Sequence, residues 1–166
     1  METMTSPYRI CVVCSGNICR SPMGEVILRV MLEEEGLADR VVVDSAGTGD
    51  WHVGDPADPR TITALGRMAY DGTAHRAGHL TATDVQARDL ILVADRGHLR
   101  DVEQLVTRAE SAAQVQLLRE FDPAAVAAGT LEVADPYYGD AADFDRCLVE
   151  VEAACAGVVD AVRTRI

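Results

Sequence analysis

Tyr8-Arg9-Ile10-Cys11-Val12-Val13-Cys14-Ser15-Gly16-Asn17-Ile18-Cys19-Arg20-Ser21-Pro22 decides how the rest of the 166-residue chain folds. Its first six residues form a short run rich in β-branched side chains, the composition of a buried strand. Beyond it Met23, Val26, Ile27, Val30 and Met31 recur at helical spacing. A loop of about seven residues therefore joins a strand to a helix. The backbone N–H groups of such a loop have no strand or helix partner, so they can converge on an anion, and the helix behind them adds partial positive charge. Gly16 and Asn17 are the residue types that most easily take the positive φ needed to turn N–H groups inward. Arg20 adds a guanidinium that clamps two phosphate oxygens at once. The amides of Ser15, Gly16, Asn17, Ile18 and Cys19 are expected to complete a phosphate cradle.

Cys14 separates this segment from a plain phosphate-binding loop. The N–H groups and guanidinium that hold a phosphate also favour a thiolate, the nucleophilic form of cysteine. Ser21 supplies a hydroxyl hydrogen bond to the sulfur. Cys11 and Cys14 form a Cys-x-x-Cys, but Cys11 lies inside the strand and no second Cys/His pair follows at zinc spacing, so no metal site and no cofactor is expected.

The segment Cys-x-Gly-Asn-Ile-Cys-Arg-Ser-Pro resembles the phosphate loop of the low-molecular-weight protein tyrosine phosphatases. Asp44-Ser45-Ala46-Gly47-Thr48, Trp51-His52-Val53-Gly54, Ala74-His75-Arg76 and Asp135-Pro136-Tyr137-Tyr138-Gly139-Asp140 resemble further segments of that family, in the same order. The resemblance implies a phosphotyrosine hydrolase without a cofactor, with phosphotyrosine-containing proteins as partners and inorganic phosphate as product. It also implies that Ser45 and His75 support Asn17 and the loop conformation, and that Trp51 and Tyr137 wall the substrate pocket. Composition alone would make Trp51, the one tryptophan, a core anchor; its position in a Gly- and Asp-rich loop favours the pocket. Ser15 departs from the leucine or threonine common at that position in the family.

Length and composition fit a single α/β domain, 48% hydrophobic and 25% charged, over residues 8–166, with a flexible stretch at 1–7. Nothing resembles a signal peptide or a membrane span, and five cysteines clustered mainly at the loop suit a reducing compartment, so the expected location is the cytoplasm. A net charge of −12 argues against nucleic acid and anionic membranes as partners.

The spacing predicts a first helix over 22–35 ending at Gly36, a second strand over 40–44, and a helix from Asp58-Pro59 to about Tyr70. Thr81 opens a short helix with a capping box, 89–94 is a third strand, Asp95 caps another helix, and 114–118 is a fourth strand. An irregular Ala- and Gly-rich connection follows Asp122-Pro123. The last helix, from about Ala142, carries an apolar stripe that makes Cys147 and Cys155 core residues. His52, His79 and His98 read as surface histidines. Alternating strands and helices imply a four-stranded parallel sheet with helices on both faces, its site beyond the carboxyl ends of the strands.

Four Asp-Pro pairs compete as the source of a general acid: Asp55-Pro56, Asp58-Pro59, Asp122-Pro123 and Asp135-Pro136. Only Asp135 is followed by Tyr-Tyr-Gly-Asp before the last helix, which matches the family's acid loop. The expected catalytic set is thus Cys14 as nucleophile, Arg20 as transition-state clamp and Asp135 as acid and base. Two relatives of the same fold are rivals. An arsenate reductase needs a redox cysteine pair near the third strand, and no cysteine stands between Cys19 and Cys147. A protein arginine phosphatase typically has threonine where this chain has Ile18. A phosphotyrosine-binding module without activity is disfavoured by the intact Cys14, Arg20 and Asp135.

Overall fold

In a computed structural model that describes residues 6–166, the chain alternates strands with helices. The flexible stretch expected at 1–7 falls mainly on residues 1–5, outside the described residues. The elements run β1 Tyr8–Cys14, α1 Arg20–Glu34, β2 Val41–Gly47, α2 Pro59–Arg67, α3 Ala82–Gln86, β3 Leu90–Val93, α4 Arg96–Arg108, β4 Gln114–Leu117, a 3-10 turn Leu118–Phe121, α5 Pro123–Ala128 and α6 Ala141–Arg163. All pairings are parallel, in the order β2-β1-β3-β4.

β1 is a central strand buried on both faces, which is why it reads as an unbroken apolar run. Alternation along it splits the core. Ile10, Val12 and Cys14 join the cluster with Met23, Ile27 and Leu28 of α1 and Phe144, Leu148 and Val151 of α6, whereas Cys11 and Val13 join Ile91, Val93 and Val102 on the other face. Helices thus cover both faces, as expected.

Several boundaries differ from the sequence reading. α1 begins at Arg20, so Arg20 and Ser21 belong to the first helical turn and not to the loop. β2 runs three residues past Asp44, because the β1 register continues through Val12↔Ser45 and Cys14↔Gly47 and seats Ser45 beside the cradle. α2 stops at Arg67, closed by Ala69 at φ 63°. The expected irregular connection contains a helix, α5: the Asp122 side chain accepts from Ala124 N at 3.1 Å, and Gly129 at φ 72° ends it.

Candidate active site

Beyond the carboxyl ends of β1 and β3 lies a cavity of about 320 Å³ lined by Cys14, Ser15, Gly16, Ile18, Cys19 and Arg20 of the loop, by Trp51 and His52, and by Asp135, Tyr137 and Tyr138. Three stretches distant in sequence therefore meet at one thiol, which is 3% exposed.

The loop owes its shape to Asn17, which is fully buried at φ 57°. Its Nδ2 donates to Ser21 Oγ at 2.7 Å and to Ser45 Oγ at 3.0 Å, its Oδ1 accepts from Gly78 N at 2.9 Å, and its backbone oxygen lies 2.7 Å from His75 Nε2. Ser45 passes its own hydrogen on to Glu25 Oε1 at 2.8 Å. Because Ser21 Oγ accepts from Asn17, its hydroxyl hydrogen is free to point at Cys14 Sγ, 3.0 Å away, and the Ser21 amide donates to the same sulfur at 3.4 Å. Gly16 is not at positive φ, contrary to expectation; a Cβ there would stand 2.9 Å from His52 Cδ2, so close packing explains the glycine. Gly47 is required for a similar reason, since a Cβ there would meet Ser15 O at 2.6 Å.

Arg20 is held from behind. Its NH1 donates to Asp95 Oδ2 at 3.0 Å and to Val133 O at 2.9 Å, while NH2 lies 3.7 Å from Asp135 Oδ2. The guanidinium is thereby fixed with an edge towards the cavity. The second oxygen of Asp95 accepts the His98 amide at 3.0 Å and lies 3.3 Å from His98 Nδ1, although that nitrogen makes no well-directed hydrogen bond. Burial acts to raise the Asp95 carboxyl, but the His98 amide, the His98 ring and Arg20 more than offset it and hold it below its ordinary value. His98 Nε2 meets Ser15 Oγ at 2.7 Å.

His98 was expected at the surface and is 3% exposed; burial pushes its imidazole down, outweighing the neighbouring Asp95. In sequence Asp95 reads only as a helix cap, and Glu25, His52 and Tyr138 carry no signal that places them at the site. The capping position of Asp95 is legible in the sequence, but Oδ2, the oxygen not used in the cap, serves Arg20, 75 residues away, for which no local pattern gives a signal. The remaining expected residues come together: Trp51 stands 71% exposed at the rim, Tyr137 lines the same cavity, and Ile18 contributes an apolar wall. Among the described residues no group of three or more His, Cys, Asp or Glu side chains converges as a metal site, and no helix is long and apolar enough to cross a membrane.

Comparisons with known proteins agree with this geometry. A family model described as low molecular weight phosphotyrosine protein phosphatase matches residues 9–165. The chain is 48% identical over 159 residues to the low molecular weight protein-tyrosine-phosphatase of Streptomyces coelicolor, covering 96% of each chain. It is 44% identical to low molecular weight protein-tyrosine phosphatase A of Mycobacterium tuberculosis, over 98% of this chain and 96% of that one. Among solved structures, a Drosophila arginine phosphatase superimposes with a TM-score of 0.84 at 25% identity, over 93% of this chain and 97% of that one. A thiol at the floor of a phosphate cradle, backed by a clamped arginine and faced by a carboxylate, thus occurs on a chain whose match extends from β1 to the end of α6, and the chain belongs to the low molecular weight phosphotyrosine protein phosphatase family.

Proposed function

We propose that this protein hydrolyses phosphotyrosine on proteins through a phosphocysteine intermediate and releases inorganic phosphate. The observation that carries the reading is the convergence on Cys14 Sγ of the Ser21 hydroxyl at 3.0 Å and the Ser21 amide at 3.4 Å, in a cavity that Arg20 and Asp135 also line. Cys14 Sγ attacks phosphorus in line with the bond to the phenol oxygen. Arg20 and the amides of Ser15 through Cys19 stabilise the equatorial oxygens, and Asp135 gives its proton to the departing phenolate. Asp135, now ionised, takes a proton from the water that attacks phosphocysteine. The sulfur leaves as a thiolate that the Ser21 hydroxyl stabilises, and phosphate is freed. Ser45 and His75 act through Asn17 to keep the cradle in shape. The electrostatic task that magnesium performs in other phosphoryl transfers falls here to the cradle and the guanidinium. The same reading puts the protein in the cytoplasm, where its five free thiols stay reduced.

Selectivity follows from depth. A tyrosine ring spans from the cradle to the rim formed by Trp51 and Tyr137, whereas a serine side chain is too short to bring its phosphate to the buried thiol. The likeness to an arginine phosphatase fold supports a second reading, which Ile18 opposes. Apolar surface beside a phosphoguanidinium leaves N–H donors unpaired, and each buried unpaired donor costs about 1–3 kcal/mol. Comparing kcat/KM on phosphotyrosine, phosphoserine and phosphoarginine peptides, with Cys14→Ser as the inactive control and Ile18→Thr as the specificity probe, tests both. Phosphotyrosine is expected to lead, Ile18→Thr to narrow the gap to phosphoarginine, and Cys14→Ser to be inert. A wild type that prefers phosphoarginine would overturn the tyrosine assignment, and Cys14→Ser turnover within about tenfold of wild type would overturn the mechanism.

A further inference from the structure

The segment carrying Asp135 has little regular structure of its own. Val133 N is bonded to Ala94 O at 2.8 Å and Asp140 caps α6, but between them the local bonds are Tyr137 N to Asp135 Oδ1 at 3.1 Å and Gly139 N to Pro136 O at 2.8 Å. Two carbonyls of this segment are taken by a single side chain from the other side of the rim: Arg60 NH1 donates to Tyr137 O at 2.9 Å and to Gly139 O at 3.4 Å. The other edge of the guanidinium forks onto Asp58, Nε to Oδ1 at 3.0 Å and NH2 to Oδ2 at 2.9 Å. Its plane lies over the rings of Phe144 and Tyr137, 4.5 Å and 5.4 Å from their centroids. Asp58, 9% exposed, is in turn bonded to the cradle, its amide donating to Ile18 O at 2.9 Å.

We propose that Arg60 is the positioning residue for Asp135, a latch that fastens the acid-bearing segment to the phosphate loop by way of Asp58. The inference rests on the assignment of Asp135 as the acid. The contacts form one line: Ile18 carbonyl, Asp58 amide and carboxylate, Arg60 guanidinium, then the backbone on the far side of Asp135. Arginine suits the role because its planar fork serves a carboxylate on one edge and carbonyls on the other, which an ammonium cannot do. Arg60 does not line the cavity that holds the thiol; it sets the distance between the carboxyl and the leaving oxygen.

The test is the dependence of kcat/KM on leaving group for a series from phenyl phosphate to dinitrophenyl phosphate. The enzymes are wild type, Arg60→Met, Arg60→Lys, Asp135→Asn and the Arg60→Met/Asp135→Asn double variant. Misplacing an acid by about an ångström costs up to about 100-fold, so Arg60→Met is expected to lose about 10- to 100-fold on phenyl phosphate and less than about threefold on dinitrophenyl phosphate, whose phenolate needs no proton. Competitive inhibition by inorganic phosphate stays as in wild type, Arg60→Lys recovers part of the loss, and the double variant is no worse than Asp135→Asn. An equal loss across the series, or losses that multiply in the double variant, would mean Arg60 serves stability alone. Should Arg60→Met not fold, Arg60→Lys carries the same test, since it keeps the charge and a stem over Phe144 but not the fork. If Asp135→Asn shows the leaving-group dependence and neither Arg60 variant does, the latch fails and the acid stands; if Asp135→Asn lacks it, both fail.

Discussion

Asn17 uses both polar atoms of its side chain and its backbone oxygen, and that explains why a single side chain governs the loop. Two donors, one side-chain acceptor and the backbone oxygen all find partners, in Ser21, Ser45, Gly78 and His75. No other residue type offers that set on so short a stem while tolerating φ 57°. Cys14 sits among these groups with Cys19 in the same cavity lining. Hydrogen peroxide is expected to convert the Cys14 thiolate to a sulfenic acid with loss of hydroxide, after which the Cys19 thiol displaces water and closes a disulfide. Cys19 is pushed up to about 12, chiefly by burial, so this second step is slow and over-oxidation of Cys14 overtakes it at high peroxide. Mass spectrometry after mild treatment should find the Cys14–Cys19 bridge; oxidised Cys14 with Cys19 untouched at every dose would remove the protective role. His98 carries a pH signature. The fold holds its imidazole below the ordinary value of about 6.5, so the neutral form persists where the unfolded chain has begun to take up a proton. Stability is therefore undiminished by His98 above that pH and declines as pH falls below it, until the folded imidazole protonates too. His98→Gln, which keeps a group able to bond Ser15, should flatten the decline in denaturant midpoint between pH 7.5 and 5.5; the same decline in both proteins would clear His98.

Helix α6 closes the fold by lying against α1 and against the 3-10 turn at Leu118–Phe121, and Gly157 is what lets it approach the turn. A Cβ at Gly157 would fall 1.7 Å from the Phe121 carbonyl oxygen, which is backbone and has nowhere to go. Gly157→Ala improves helix propensity yet should destabilise by about 1–3 kcal/mol through overpacking, a fall of roughly 2–4 °C in Tm per kcal/mol for a chain this long. A stable or more stable variant in thermal unfolding would show that α6 can shift without penalty. At this scale the chain was partly legible. Asp58-Pro59 announced α2, and the same signal at Asp122-Pro123 announces α5, but the Ala- and Gly-rich composition that follows masked it. β2 was cut short because Ser45-Ala46-Gly47 lacks β-branched residues, and it is held in the sheet by its register with β1 instead.

The whole molecule carries −12, and Asp50, Asp55 and Asp140 stand exposed on the segments flanking the cavity. A phosphorylated peptide with acidic neighbours meets that field before Arg20 can act on it. Such peptides should show lower kcat/KM than neutral-flanked ones at low salt, with the gap closing near 1 M salt, where the screening length falls to about 3 Å. A gap indifferent to salt would exclude long-range repulsion as its cause. Sequence proximity decides what could be foreseen at this scale. Cys14 to Ser21 lie in one short stretch of chain, and their gathering around the thiol is legible from spacing. Arg20 with Asp95, Ser15 with His98, and Arg60 with the Tyr137 carbonyl are joined across 75, 83 and 77 residues, and only the assembled sheet brings them together. The contact of α1 with α6 reaches further still: Cys155 Sγ lies 3.8 Å from Gly24 O, 131 residues away. Vectorial synthesis on the ribosome therefore delivers Cys14 well before the helix that buries its surroundings. Until α6 has followed, the nascent chain carries Cys14 without the packing that fixes its surroundings.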